Sequence, residues 1–304
     1  MRPWLLVCCV LLSLTSACRG KGARPPLTVP ASSPAARATR LGFQPPVDRV
    51  LTESQRATRA VERDGSVIHD EAELTTESRF TPADGGWLLT QTVSRAHPTR
   101  GGAPVETWVD DVLSRFTLRV RLAADGAFIK LVSPEAAQDA VRQVVPAGPG
   151  ARALERFFAP DALEARTRRE WEAKYGGLLQ RNLSEGQRTW AVDVSPVGED
   201  TQLAYVLERT VQGTRDTEYG DAVVLTLRCL DALPEDAPDE LTDAWVAAGR
   251  PELTPGVTCE GEQVVASGRF VPVSRELTVK ARVGGAAWTV TTESRAQGLQ
   301  EEAR

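Results

Sequence analysis

The chain has 304 residues, 41% of them hydrophobic, with 36 basic against 41 acidic side chains and a net charge of −5. That is enough apolar material for one large or two modest domains. The mildly acidic balance leaves no positive footprint of the kind from which nucleic-acid recognition begins, so nucleic acid is excluded as a partner.

Met1-Arg2 gives a short positive start, and an apolar run follows from Trp4 to Leu14. A run of this length is too short to span a bilayer and reads as a secretory signal. It ends in Leu14-Thr15-Ser16-Ala17-Cys18, small residues before a cysteine. This ending resembles the lipobox of bacterial lipoproteins. The resemblance implies a signal peptide over residues 1–17, a diacylglycerol on Cys18, and a mature chain that begins there and reaches the membrane through its acyl groups. Several chains are needed for stable anchoring, since one alone binds reversibly. In the same sorting pattern an aspartate after the cysteine holds proteins at the inner membrane, and Arg19 stands here instead. The expected address is therefore the cell envelope, the outer membrane before the inner, on the periplasmic face. The alternative is an ordinary secretory signal cut near Ala17.

Residues 18–47 are expected to form the acylated cysteine and a disordered tether. From 19 to 47 there are six prolines and five basic residues (Arg19, Lys21, Arg24, Arg37 and Arg40) with no acid, too little to order itself by burial. Such a tether reaches on the order of 80 Å as polyproline or about 30 Å as a coil.

A first β block is expected over 48–132. Arg49 to Val61 is recurrent in threonine and leads into the turn Arg63-Asp64-Gly65, which favours a strand over the helix face that Val50, Ser54, Ala57 and Val61 would also make. From Ser66 to Phe80 the period is two: Ile68, Ala72, Leu74, Thr76, Ser78 and Phe80 share one face, and His69, Glu71, Glu73, Glu77 and Arg79 the other. Asp84-Gly85-Gly86 turns into Trp87–Ala96. Val112, Ser114, Phe116, Leu118, Val120 and Leu122 alternate against arginines and Thr117, and Asp125-Gly126 closes a hairpin.

The period then changes, and 133–180 is expected to be helical. Ser133-Pro134-Glu135 supplies an N-cap, a first-turn proline and an acid at the positive helix end, ahead of the stripe Ala137, Ala140, Val141, Val144 and Val145. A second helical stretch from about Arg152 to Tyr175 breaks at Pro160 and stops at Gly176-Gly177. A second β block is expected over 181–294, with a short helix near 239–248 and a frayed tail at 295–304. Phe116 to Phe128 and Glu276 to Trp288 are alike enough for an internal duplication, although any amphipathic hairpin would look similar.

The fold expected is α+β and β-dominated: long curved antiparallel sheet, a half-barrel or incomplete barrel, with the central helical segment against its concave face. That layout is similar to periplasmic lipoprotein carriers and lipid-binding lipoproteins that wrap a sheet around helices. Ile68, Leu74, Phe116, Leu118, Val223, Leu225, Leu277 and Val279 would then line either a greasy cavity or, by default for alternating strands, a closed core.

No catalytic or metal constellation stands out. His69 and His97 are the only histidines, neither in a zinc-binding spacing, and the chain has no CxxC, GxSxG, GxxxxGK[ST] or GxGxxG motif. No catalytic residue, metal ligand or cofactor is assigned. The reading favoured is a membrane-anchored, non-catalytic binding or scaffold protein for a hydrophobic ligand or another envelope protein. The alternatives are a structural assembly component whose sheet edges pair with a partner, and a hydrolase with an unrecognised site.

With Cys8 and Cys9 lost in the leader and Cys18 acylated, Cys229 and Cys259 remain as an even pair in an oxidising compartment, which predicts one disulfide; the alternative is two separate buried thiols. Non-reducing mass mapping is expected to recover residues 229 and 259 in one linked peptide. Reduction should lower the unfolding free energy by roughly 3–4 kcal/mol in the chain-entropy description.

Overall fold

The structure, a computed structural model, describes residues 38–104, 109–197, 201–235 and 237–301. Cys18 and the leader lie outside them. The strands are β1 (Thr39–Arg40), β2 (Arg49–Arg63), β3 (Ser66–Ala83), β4 (Gly86–Arg100), β5 (Ala103–Pro104), β6 (Leu118–Ala123), β7 (Phe128–Leu131), β8 (Asn182–Leu183), β9 (Arg188–Pro196), β10 (Gln202–Thr217), β11 (Gly220–Leu230), β12 (Thr258–Ala266), β13 (Val271–Val283) and β14 (Ala286–Glu301). The helices are α1 (Val109–Arg115), α2 (Glu135–Val144), α3 (Pro149–Phe157), α4 (Pro160–Tyr175) and α5 (Asp239–Ala247).

The expected β-dominated α+β fold is present: one large, open antiparallel sheet, with few helices. Its order is β7-β6-β4-β3-β2-β14-β13-β12-β11-β10-β9, with β5 beside β4. From β2, at the middle of the sheet, the chain meanders out to β7. It passes through α2–α4 and re-enters at the opposite edge, β9. It then meanders back until β14 lies against β2, with Ala296 opposite Glu53 and Glu301 opposite Arg49. The two β blocks are thus halves of one sheet. Hairpin β6–β7 sits at its edge and β13–β14 at its centre, so the two similar sequences occupy different places.

Inward-facing side chains build the main core. Leu74, Phe116, Leu118, Val223, Leu225, Leu277 and Val279 are all buried, while Phe158 of the helical layer meets Phe116 and Phe157 at ring distances of 6.4 and 5.2 Å. Helix α5 covers part of the other side of β9 and β10, where Leu241 packs on Val192 and Val206. Cys229 and Cys259 are bonded, with Cα atoms 5.0 Å apart, and close the excursion that carries α5.

Five expectations need correcting. Residues 295–301 are strand, because β2 offers their backbone a ladder that the local sequence Arg-Ala-Gln-Gly-Leu-Gln-Glu does not announce. Residues 38–47 are docked rather than tethered: Leu41 and Phe43 are buried, and Leu41 exchanges backbone bonds with Arg181 and Gln180 at 3.1 and 2.7 Å. Residues 112–115 are helix, since Val112, Leu113 and Phe116 at i, i+1 and i+4 fit one helix face as well as the alternating set fits a strand. Ser133 has φ 53° and makes no cap; Pro134 holds the N-cap position without a side-chain bond. Ile68 is 47% exposed, because β3 is exposed through its first four residues and turns inward only from Asp70.

Arg209 on β10 is fully buried and ties the sheet to α4. Its guanidinium donates to the carbonyls of Glu172, Ala173 and Gly176 at the helix C-terminus, to the Trp190 carbonyl and to Thr189 Oγ1. The Ala173 and Gly176 carbonyls lie where a helix end lacks intrahelical partners, at the negative end of its dipole, while the Glu172 carbonyl also accepts from the Gly176 N–H at 2.9 Å. Burial, with Arg275 repelling it, lowers its pKa to about 9. Arg209→Met should destabilise the protein by about 3 kcal/mol, since it strands buried carbonyls without filling their hydrogen-bonding needs. Urea unfolding of the variant checks this.

Candidate functional site

Between the inner face of the sheet and α4 lies a chamber of about 70 Å³. On the measure by which one water needs about 10–15 Å³, that is room for roughly five. The strands supply its polar wall: Glu53 and Gln55 from β2, Ser78 from β3, Gln91 from β4, Gln263 from β12, Arg275 from β13 and Ser294 from β14. Thr167, Glu170, Trp171, Lys174 and Tyr175 come down from α4 at helical spacing. Around them stand Phe80, Leu89, Leu118 and Phe270. Tyr175 packs on Trp171 and Phe270 at 4.8 and 5.0 Å between ring centroids, and Phe43 closes on Phe270 at 4.7 Å.

Most donors in this wall are committed. Lys174 Nζ lies 2.8 Å from Glu170 Oε1, one helical turn away. Gln263 Nε2 donates to the Lys174 carbonyl at 2.9 Å, and Gln55 Nε2 to Thr76 Oγ1 at 3.1 Å. Gln91 Nε2 donates to Ser78 Oγ at 3.1 Å. The amide oxygens Gln55 Oε1 and Gln263 Oε1 are buried and have no hydrogen-bond partner. A buried acceptor left unpaired costs about 1–3 kcal/mol, so each is a site poised to receive a donor.

Glu53 is the most perturbed carboxyl. Burial raises its pKa to about 7, partly opposed by the Lys174 ammonium and reinforced by Glu170. Burial, with Glu53 adding to it, also pushes the Tyr175 hydroxyl up. A carboxyl that changes charge near neutrality inside a chamber marks a functional-site candidate.

Of the eight residues singled out as lining, only Leu118 reaches this chamber. Leu74, Phe116, Val223, Leu225, Leu277 and Val279 lie in the main core or packed at its strands, and Ile68 is outside. Both histidines are exposed and line no part of it. Among the described residues no group of three His, Cys, Asp or Glu side chains could hold a metal. A second inward polar cluster, Asp70 between Arg59 and Arg100 at 2.9 and 2.7 Å, also ties Arg59 to the Val197 carbonyl. It joins β2, β3 and β4 to the far end of β9 and reads as structural.

Sequence reasoning missed Glu53, Gln55, Gln263 and Arg275. The signal was present in β2: Leu51, Glu53, Gln55 and Ala57 share one parity, so two polar residues interrupt an inward face.

No protein-family model and no curated protein sequence matches this chain. Among solved structures, a lipovitellin described for its lipid–protein interactions overlaps 86% of this chain at 12% identity and a TM-score of 0.47, and the match spans 26% of the lipovitellin chain. An exported protein with a YmcC-like fold from Bacteroides fragilis overlaps 88% of this chain and 100% of its own at 9% identity and a TM-score of 0.24. A DUF1329 family protein from Desulfovibrio piger overlaps 81% and 85%, at 9% and 0.23. Overlaps this loose say nothing of ligand or activity here.

Glu53 makes stability depend on pH. Its folded pKa of about 7 exceeds the ordinary 4.5, so the folded state binds the proton more tightly than the unfolded one. Its contribution is fully favourable below about 4.5 and is lost as pH rises through about 7. Glu53→Gln should match the parent near pH 4 and exceed it by up to about 3 kcal/mol at pH 8. Urea midpoints across that range test it; a parallel decline in both proteins would assign the titration elsewhere.

Proposed function

We propose that this protein is a lipid-anchored, non-catalytic protein of the cell envelope with a binding role, and that it holds its ligand in the chamber beneath α4. The observation that carries the binding role is that chamber: a sheet face otherwise packed shut by apolar side chains opens, at its centre, onto a ring of amides, hydroxyls and one titrating carboxyl. Binding sites place a few convergent polar groups in a largely apolar recess in this way. The lipid anchor is supported by the leader and Cys18, and the outer-membrane address by Arg19.

The size of the chamber weighs against one form of the carrier reading. At about 70 Å³ it does not admit an acyl chain; a long hydrophobic ligand would require the helical layer to lift from the sheet. A hydrolytic reading has one observation in its favour, the Glu53 carboxyl poised near neutrality beside Ser78 and Ser294. Binding is preferred because Lys174, Gln263, Gln55 and Gln91 already donate within the wall and hold it together.

The anchor is tested by Cys18→Ser. The variant should leave the envelope pellet and appear in the soluble fraction, with the unprocessed precursor distinguished by mass. Retention of a processed variant with the membranes would remove the anchor from this proposal.

A further inference from the structure

We infer that the chamber beneath α4 is a binding site for a small neutral polyol of about glycerol's size, whose hydroxyls donate to the amide oxygens of Gln55 and Gln263 and to the Glu53 carboxylate. This rests on the binding role proposed above and names the chemistry of its ligand.

Three features point to a donor-rich, uncharged guest. The first is a pair of unmet acceptors in the wall. Gln55 and Gln263 are 3% and 2% exposed, and both carbonyl oxygens are unpartnered. The orientation of Gln263 is fixed by chemistry, because its Nε2 faces the Lys174 carbonyl at 2.9 Å and a flipped amide would set oxygen against oxygen. Gln263 Oε1 can therefore be satisfied only by a group that brings a hydrogen, and Gln55 Oε1 lacks a partner as its amide stands, with Nε2 on Thr76 Oγ1.

The second is charge. A cationic guest would have to sit against Lys174 and Arg275, both in the wall, while Glu170 is already engaged by Lys174. An anionic guest would meet Glu53 and two bare carbonyl oxygens. A hydroxyl donates to all three without adding charge. The third is size and shape: space for roughly five waters suits a molecule of five or six non-hydrogen atoms, and the rings of Trp171, Tyr175 and Phe270 offer its CH groups an apolar bed.

The groups facing Glu53 set the pH dependence. Lys174, Glu170 and Tyr175 face it from α4, and Arg275 shares the wall from β13. Hydroxyl donation favours the ionised carboxyl, so binding tightens as pH rises through about 7 and one proton leaves as the guest enters.

The test follows the side-chain amide NMR signals of Gln55 and Gln263 in the protein purified from the cell, in glycerol-free buffer, as glycerol is added. Saturable shifts at both residues are expected, with affinity rising several-fold from pH 6 to pH 8. Gln55→Leu should weaken binding about tenfold, the loss of one such contact. Glu53→Gln should bind with no pH dependence. Should a variant fail to fold, the pH series on the parent protein carries the test alone. Two outcomes overturn the assignment: no saturable response to glycerol in folded protein, or saturation of the same signals by methylammonium and not by glycerol. Vesicles of phosphatidylglycerol, whose headgroup ends in the same hydroxyls, should leave these signals unmoved; a response to the vesicles alone also overturns it. Cys18→Ser fractionation is independent of this titration, so failure of the anchor and failure of the ligand are separately visible.

Discussion

Everything inside the curved sheet depends on where α4 ends, and one buried guanidinium decides that. Arg209 reaches from β10 to three carbonyls of the helix's last turn and the residue beyond it. A strand side chain therefore completes a helix terminus that would otherwise be stranded away from water. The burial that lowers the pKa of Arg209 is offset by its five hydrogen bonds. The same last turn presents the Lys174 carbonyl to Gln263. Clamp and chamber are thus mechanically one unit, and Lys174 and Glu170 hang from the helix segment that Arg209 holds.

The polar chamber interrupts a face that is apolar above and below it. Alternating strands ordinarily exclude polar residues from the inward parity. Here β2, β3, β4, β12, β13 and β14 each contribute at least one, all at the middle of the sheet. The amide oxygens of Gln55 and Gln263 have no partner, and the carboxyl of Glu53 is held near its titration point. The Asp70 carboxylate has both oxygens engaged by guanidinium groups, those of Arg59 and Arg100. The Glu53 carboxyl is instead buried with its pKa raised, and that difference separates the two clusters.

Local periodicity made much of the fold legible. The alternation from Ala72 to Phe80, the helix break at Pro160 and the pairing of Cys229 with Cys259 follow from spacing and count. What was not legible depends on distant chain. Residues 295–301 have no strand pattern of their own and gain one from the backbone of β2. Leu41 and Phe43 stand in a proline-rich stretch; Phe43 is buried against Phe80, Trp171 and Phe270, and Leu41 docks through backbone bonds to Gln180 and Arg181. Val112 to Phe116 is too short for period two and period 3.6 to be told apart. For the chamber, Glu53 was readable as an inward acid only once the parity of β2 had been fixed by Leu51 and Ala57. Gln263 and Arg275 needed α4 above them to become a wall.

The seam between β2 and β14 has a consequence for biogenesis. Strand β2 is synthesised well before its partner β14, so an emerging chain carries an open backbone edge at Arg49 to Glu53 until Glu301 is free. Closure across so great a sequence separation is slow compared with hairpin formation, and an unpaired edge is a template for intermolecular association meanwhile. The first half-sheet must therefore survive as an unfinished surface throughout synthesis of the second, and a holdase that covers that edge would raise the yield of folded protein.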